Sequence, residues 1–232
     1  IICNFHRSYP INIWRFKNSI MSKFIIFFLL IFNISHAVEF LGDFKQGSFI
    51  LGKTDPNSIV FIDDRKVRVS NDGYFAFGLD RDRKNNVLIK VKTGKETKLL
   101  EKKVFKRKYK IQRIDGLPPK QVTPPPEVYE RIKKDNVLIG KARSIDSKLV
   151  FFKDKFIYPI DKYIITGVYG SQRILNGKPR RPHYGIDFHA PEGTPVKSMM
   201  DGVVTLVAND MYFTGGTIIF DHGHGVSTCL LY

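Results

Sequence analysis

The chain has 232 residues, enough for one large or two small domains with their own cores, and its 43% hydrophobic content excludes a largely disordered chain. Its 38 basic and 22 acidic side chains leave a net charge of +16. That charge suits an anionic partner (nucleic acid, an acidic membrane surface or an acidic cell-wall polymer) and equally a lysine-rich solvated surface.

Residues 1–20 do not begin with Met and carry charges without clear periodicity, so they are read as an upstream translated segment. Met21-Ser22-Lys23, an apolar run over 24–32 and Ser35-His36-Ala37 then have the layout of a signal peptide over 21–37. The run is shorter than the about 20 residues that a spanning helix needs; an uncleaved membrane anchor is the alternative. Export implies a periplasmic or cell-envelope location and argues against nucleic acid as the partner. The membrane is involved only through the signal sequence or anchor. Cys3 and Cys229 stand at opposite ends of the chain and define no disulfide framework.

Over 38–111, short apolar or alternating runs at 48–51, 58–62, 66–69, 74–77 and 87–91 are separated by turn signals such as Asp55-Pro56-Asn57 and Asn71-Asp72-Gly73. This spacing predicts a small immunoglobulin-like β-sandwich, without the Cys…Trp…Cys signature of a true immunoglobulin domain. No catalytic constellation lies here. The run 102–110, which interleaves Lys and Arg with Phe105 and Tyr109, reads as a solvated final strand or as a grip for an anionic polymer.

Residues 112–147 read as a proline-rich linker followed by a helix over about 126–143, with Pro126 suited to the first turn and Val128, Ile132, Ile139 and Ala142 at helical spacing. The remaining 148–232 is strand-like at 148–152, 156–160 and 163–170, and again at 194–198, 203–207, 217–220 and 226–232. The connections between the last of these are short, which predicts a largely antiparallel sheet. The overall expectation is a mainly β protein.

The stretch Arg181-Pro182-His183-Tyr184-Gly185-Ile186-Asp187 carries the chemistry. His183 and Asp187 are four residues apart, about 13 Å in an extended strand, whereas zinc binds His nitrogen and Asp oxygen at about 2.0–2.2 Å. Pro182 and Gly185 oppose a helix, so convergence calls for a bend or bulge near Gly185. Taken alone, the pair reads first as a surface histidine and a turn aspartate.

The residues that follow add a pattern: Ala190-Pro191-Glu192-Gly193-Thr194-Pro195-Val196, Asp201-Gly202-Val203-Val204, Gly215-Gly216-Thr217-Ile218-Ile219 and Asp221-His222-Gly223-His224-Gly225. From about 156 to 232 the order of these motifs resembles the lysostaphin/LytM-type zinc endopeptidases, which cut peptide cross-links in bacterial peptidoglycan. The resemblance implies Zn2+ as cofactor, His183 and Asp187 as metal ligands, and peptidoglycan peptides as substrate. It also implies a partial LytM-type sheet domain over 148–232. The family's catalytic histidine and its H-x-H motif, which holds the third ligand, would lie beyond Tyr232, leaving no catalytic residue in this chain and little activity in it alone. His222 and His224, despite their H-x-H spacing, align with a family hairpin that binds no metal, and with its flanking glycines that turn is expected to be mobile; His189 is read the same way. Arg173, Arg181 and Tyr184, with Asn176 and Arg180, are candidates for the substrate groove. The competing reading is a non-catalytic LytM-like module that binds cell wall or activates another hydrolase.

Overall fold

Side-chain alternation builds the N-terminal part of the computed structural model, which describes residues 37–118 and 122–232. The expected upstream segment, and the signal peptide except for Ala37, lie outside the described residues. In β6 (Val87–Thr93), Val87, Ile89 and Val91 point inwards while Leu88, Lys90 and Lys92 face out. One four-stranded sheet runs β4 (Arg65–Val67), β3 (Ile59–Ile62), β6 and β7 (Glu96–Lys102); a three-stranded sheet runs β1 (Glu39–Leu41), β2 (Phe49–Lys53) and β5 (Tyr74–Gly78). Ile50, Phe75 and Phe77 from the second sheet meet Val60, Ile62, Val87, Ile89 and Val91 from the first in one core. All the ladders are antiparallel. This is the expected sandwich, with two strands that the sequence concealed. β7 reads as charged because it buries little, and β1 is only three residues long. The turn between β3 and β4 is fixed by Asp63, which takes φ 53°, receives both arms of the Arg83 guanidinium at 2.9 Å and accepts from the Leu88 N–H.

Beyond the sandwich, β8 (Ile111–Ile114) pairs in parallel with β10 (Gln172–Leu175), which pairs in turn with the short β11 (Lys178–Pro179). The start of the expected linker is therefore part of a sheet. The helix forms as expected: a 3-10 turn at Pro126–Val128 leads into α1 (Tyr129–Arg143), which lies against the C-terminal sheet through Arg131–Asp210 and the Tyr212 N–H bound to Asp135. That sheet is an antiparallel meander of β13 (Val203–Met211), β14 (Gly215–Gly223) and β15 (Val226–Leu231). A two-stranded ladder joins β9 (Ile164–Gly167) to β12 (Asp187–His189).

Three expected strands are absent. At 148–152 the chain makes a 3-10 turn, Phe151–Lys153, that buries Phe152. Segment 156–160 does meet the chain at 197–199, through Ile157 N–H to Met199 O and Lys197 N–H to Pro159 O, but no ladder forms. Pro159 and Pro195 lack the N–H groups that a continuous ladder requires.

Residues Ala37–Tyr232 form one compact unit. The sandwich touches the later chain through Arg68–Asp146, Lys153–Asp72, the Phe49–Phe156 ring pair and a hydrogen bond from Arg81 to the Gly170 carbonyl.

Candidate metal centre

His183 and Asp187 are brought together by a bend at Gly185 and by the entry into β12, where the ladder with β9 slips register between Asp187 and Phe188. The bend falls where the sequence placed it, and the bulge lies two residues further on. His183 Nε2 stands 3.0 Å from Asp187 Oδ1, and the His183 side chain is 12% exposed. The contact is close but not aligned as a hydrogen bond: Nε2 is buried and has no hydrogen-bond partner. Burial, and after it the Arg173 charge, hold the His183 imidazole below its usual pKa despite the nearby carboxylate. It is therefore neutral at pH 7, with a lone pair to give.

Asp187 uses its other oxygen. Arg173 on β10 donates from a terminal nitrogen to Oδ2 at 3.0 Å, which leaves Oδ1 turned towards His183. Directly across the ladder from Asp187 is Gly167, where a Cβ would lie 2.2 Å from Oδ2. The glycine that ends β9 is thus needed to let the carboxylate in. Two ligand atoms on one tetrahedral zinc at about 2.0–2.2 Å would lie about 3.4 Å apart. The 3.0 Å convergence of an unpartnered imidazole nitrogen and a carboxylate oxygen fits that group. No cluster of three or more His, Cys, Asp or Glu side chains that could hold a metal occurs among the described residues.

The other candidates sort by what they touch. Tyr184 and Arg181 flank His183 in sequence and are exposed, and the Tyr184 ring lies edge-on to Tyr169 at 6.1 Å. Arg173 binds Asp187 and keeps 32% of its side chain exposed. Asn176 is committed to the Leu117 backbone through two hydrogen bonds, and Arg180 reaches Thr123; both fasten the segment after β8.

His222 is fully buried in β14, its Nδ1 2.6 Å from the Asp201 carbonyl and its Nε2 2.7 Å from the Thr228 hydroxyl. A carbonyl only accepts, so Nδ1 carries a hydrogen, and Nε2 is matched by Thr228. His224 packs on Phe152, with ring centroids 4.7 Å apart. The turn expected to be mobile is therefore packed, and His189 is exposed on β12. What sequence reasoning missed is the main-chain support of His183, supplied by Gly170 and Ser171. The glycines at 167 and 170 were its only visible sign.

The model of Peptidase family M23 matches residues 181–232. The peptidoglycan DD-endopeptidase ShyA of Vibrio cholerae serotype O1 is 36% identical over 77 residues, which make up 32% of this chain and 18% of that protein. The chain thus matches less than a fifth of that relative's length. A crystal structure described as a peptidase M23 from Pseudomonas aeruginosa superposes with a TM-score of 0.59 at 20% identity, over 82% of this chain and 73% of that one. At that identity the likeness is one of fold. The stretch that the family M23 model matches is the one that carries the paired His183 and Asp187.

Proposed function

We propose that the chain is part of an exported zinc metalloendopeptidase that hydrolyses peptide cross-links of peptidoglycan, and that His183 Nε2 and Asp187 Oδ1 are two of its metal ligands. The observation that carries this reading is the buried, unpartnered Nε2 facing Oδ1 at 3.0 Å inside the segment matched by family M23. The curated relative, named as a peptidoglycan DD-endopeptidase, supports the substrate class.

Zinc held there would polarise the scissile carbonyl and lower the pKa of its bound water towards 7. The chain's own residues set the stage for that chemistry. His183 is kept neutral by burial, Arg173 orients the Asp187 carboxylate by occupying Oδ2, and exposed Tyr184 and Arg181 offer an aromatic face and a cation to a peptide lying across the site. A catalytic zinc site takes three protein ligands and a water, and His183 and Asp187 would be two of the three. The periplasm or cell envelope is the compartment in which this substrate occurs.

Muropeptide release tests the reading on three proteins: this chain, the chain extended by a relative's next segment, and the extended form carrying His183→Ala. Activity is expected only in the extended form with His183 intact. Full activity from residues 1–232 alone, or from the His183→Ala form, would overturn it.

A further inference from the structure

Two hydrogen bonds bracket the main chain of His183: its N–H donates to Ser171 O at 2.9 Å, and its carbonyl accepts from the Gly170 N–H at 2.7 Å. The Gly170–Ser171 turn that makes both bonds is itself held from the sandwich. The Gly170 carbonyl accepts from Arg81 Nε at 2.8 Å, and the Arg81 side chain is only 11% exposed. Arg81 sits between β5 and β6, and its guanidinium lies 4.2 Å from the centroid of the Tyr109 ring, at a range where a cation is attracted to the ring face. The Tyr109 hydroxyl closes the loop by donating to the Arg81 carbonyl at 3.1 Å.

The fit is tight enough to exclude a side chain at Gly170. Its φ is +85°, and a Cβ there would stand 2.0 Å from Tyr109 Cε1. Tyr169 is seated in the same socket, its ring lying where a Cβ on Gly47 would fall, 2.5 Å away. A chain of direct contacts therefore runs from Tyr109 through Arg81 and Gly170 to the backbone of His183.

We infer that Arg81 and Tyr109 are positioning residues: they fix the Gly170–Ser171 backbone, so that the sandwich holds His183 in its orientation towards Asp187. The metal part of this inference rests on the function proposed above; the mechanical part does not. Partners that orient a metal ligand matter for affinity because a ligand free to turn must be ordered at the moment of binding, and losing such a partner typically costs about 10- to 100-fold in metal affinity.

The test compares Arg81→Ala, Arg81→Lys and Tyr109→Phe with Arg68→Ala, which removes a different contact between the sandwich and the later chain, Arg68–Asp146. Amide hydrogen exchange is read at Gly170 and His183, and Zn2+ is titrated into each protein. In Arg81→Ala both amides should exchange about tenfold faster or more, and Zn2+ affinity should fall by about 10- to 100-fold. Tyr109→Phe, which keeps the ring and removes only the hydroxyl, should fall between Arg81→Ala and the unaltered chain, and Arg81→Lys should restore part of the protection. Arg68→Ala should leave both readouts unchanged. Unchanged exchange at Gly170 and His183 in Arg81→Ala overturns the inference, as does equal loosening in Arg68→Ala, which would show general cohesion only. If Arg81→Ala does not fold, the Tyr109→Phe exchange result decides. Should the unaltered chain bind no Zn2+ through His183, the metal reading fails, and the exchange result still decides the positioning role.

Discussion

Gly167 and Asp187 face each other across the β9–β12 ladder with no room for a methyl group between them. A methyl group there can be accommodated only if Asp187 gives way, against the hold of Arg173 on Oδ2. Gly167→Ala should therefore swing the carboxylate away from His183. We expect Zn2+ affinity to drop about tenfold or more, with a stability loss of about 1–3 kcal/mol from overpacking. Isothermal titration and a chemical melt measure the two, and unchanged affinity would show that the carboxylate does not need the glycine. At this scale the sequence was informative about identity but poor about environment. The spacing of His183 and Asp187, with Pro182 and Gly185 excluding a helix, located the bend. Nothing in the spacing said that Arg173, read as a substrate contact, would spend its charge on Asp187. Fourteen residues separate the two, and only the tertiary fold brings β10 alongside.

Elements whose own residues dictate their form were the legible ones. α1 begins where Pro126 permits and ends near Arg143, while β3, β5 and β6 announce themselves by apolar runs. β8 was hidden because its partner among the described residues, β10, lies some sixty residues later, and the 156–160 run misled because apolar content conceals the missing Pro159 N–H. Ion pairs then fasten elements together. Asp72 is held below the ordinary carboxylate range by its hydrogen bond from Ser70 and then by Lys153. Asp146 is held below it by the hydrogen bond from Arg68 and then by the same residue's charge. Both groups have folded pKa values depressed below the unfolded value of 3.8. Their stabilisation is therefore fully present above that value and is lost as pH falls through the folded pKa. Both pairs are partly solvated, so each is worth little. Thermal melts between pH 6 and pH 2.5 should show a decline that begins below about pH 4 and is shallower in the Asp72→Asn, Asp146→Asn double variant. An identical slope in that variant would show that the two pairs do not contribute.

For the molecule as a whole, the sandwich and the strands around His183 act as a single support. The sandwich reaches the backbone of His183 through Gly170, and β8, which leads out of the sandwich, pairs with the strand of Arg173. The mainly β architecture followed from patterning; this junction did not, since it depends on Arg81, Tyr109 and Gly170 meeting across 28 to 89 residues of sequence. The claim on which the rest depends is that His183 and Asp187 together receive a metal. The most direct measurement is Zn2+ titration of this chain beside His183→Ala and Asp187→Asn, with the His183 ring nitrogens followed by NMR. With two protein ligands the expected binding is weak. It should shift the Nε2 resonance, weaken as pH falls and His183 is protonated, and vanish in both variants. Zn2+ binding of equal strength in His183→Ala, or binding that leaves the His183 Nε2 resonance unmoved, would contradict it.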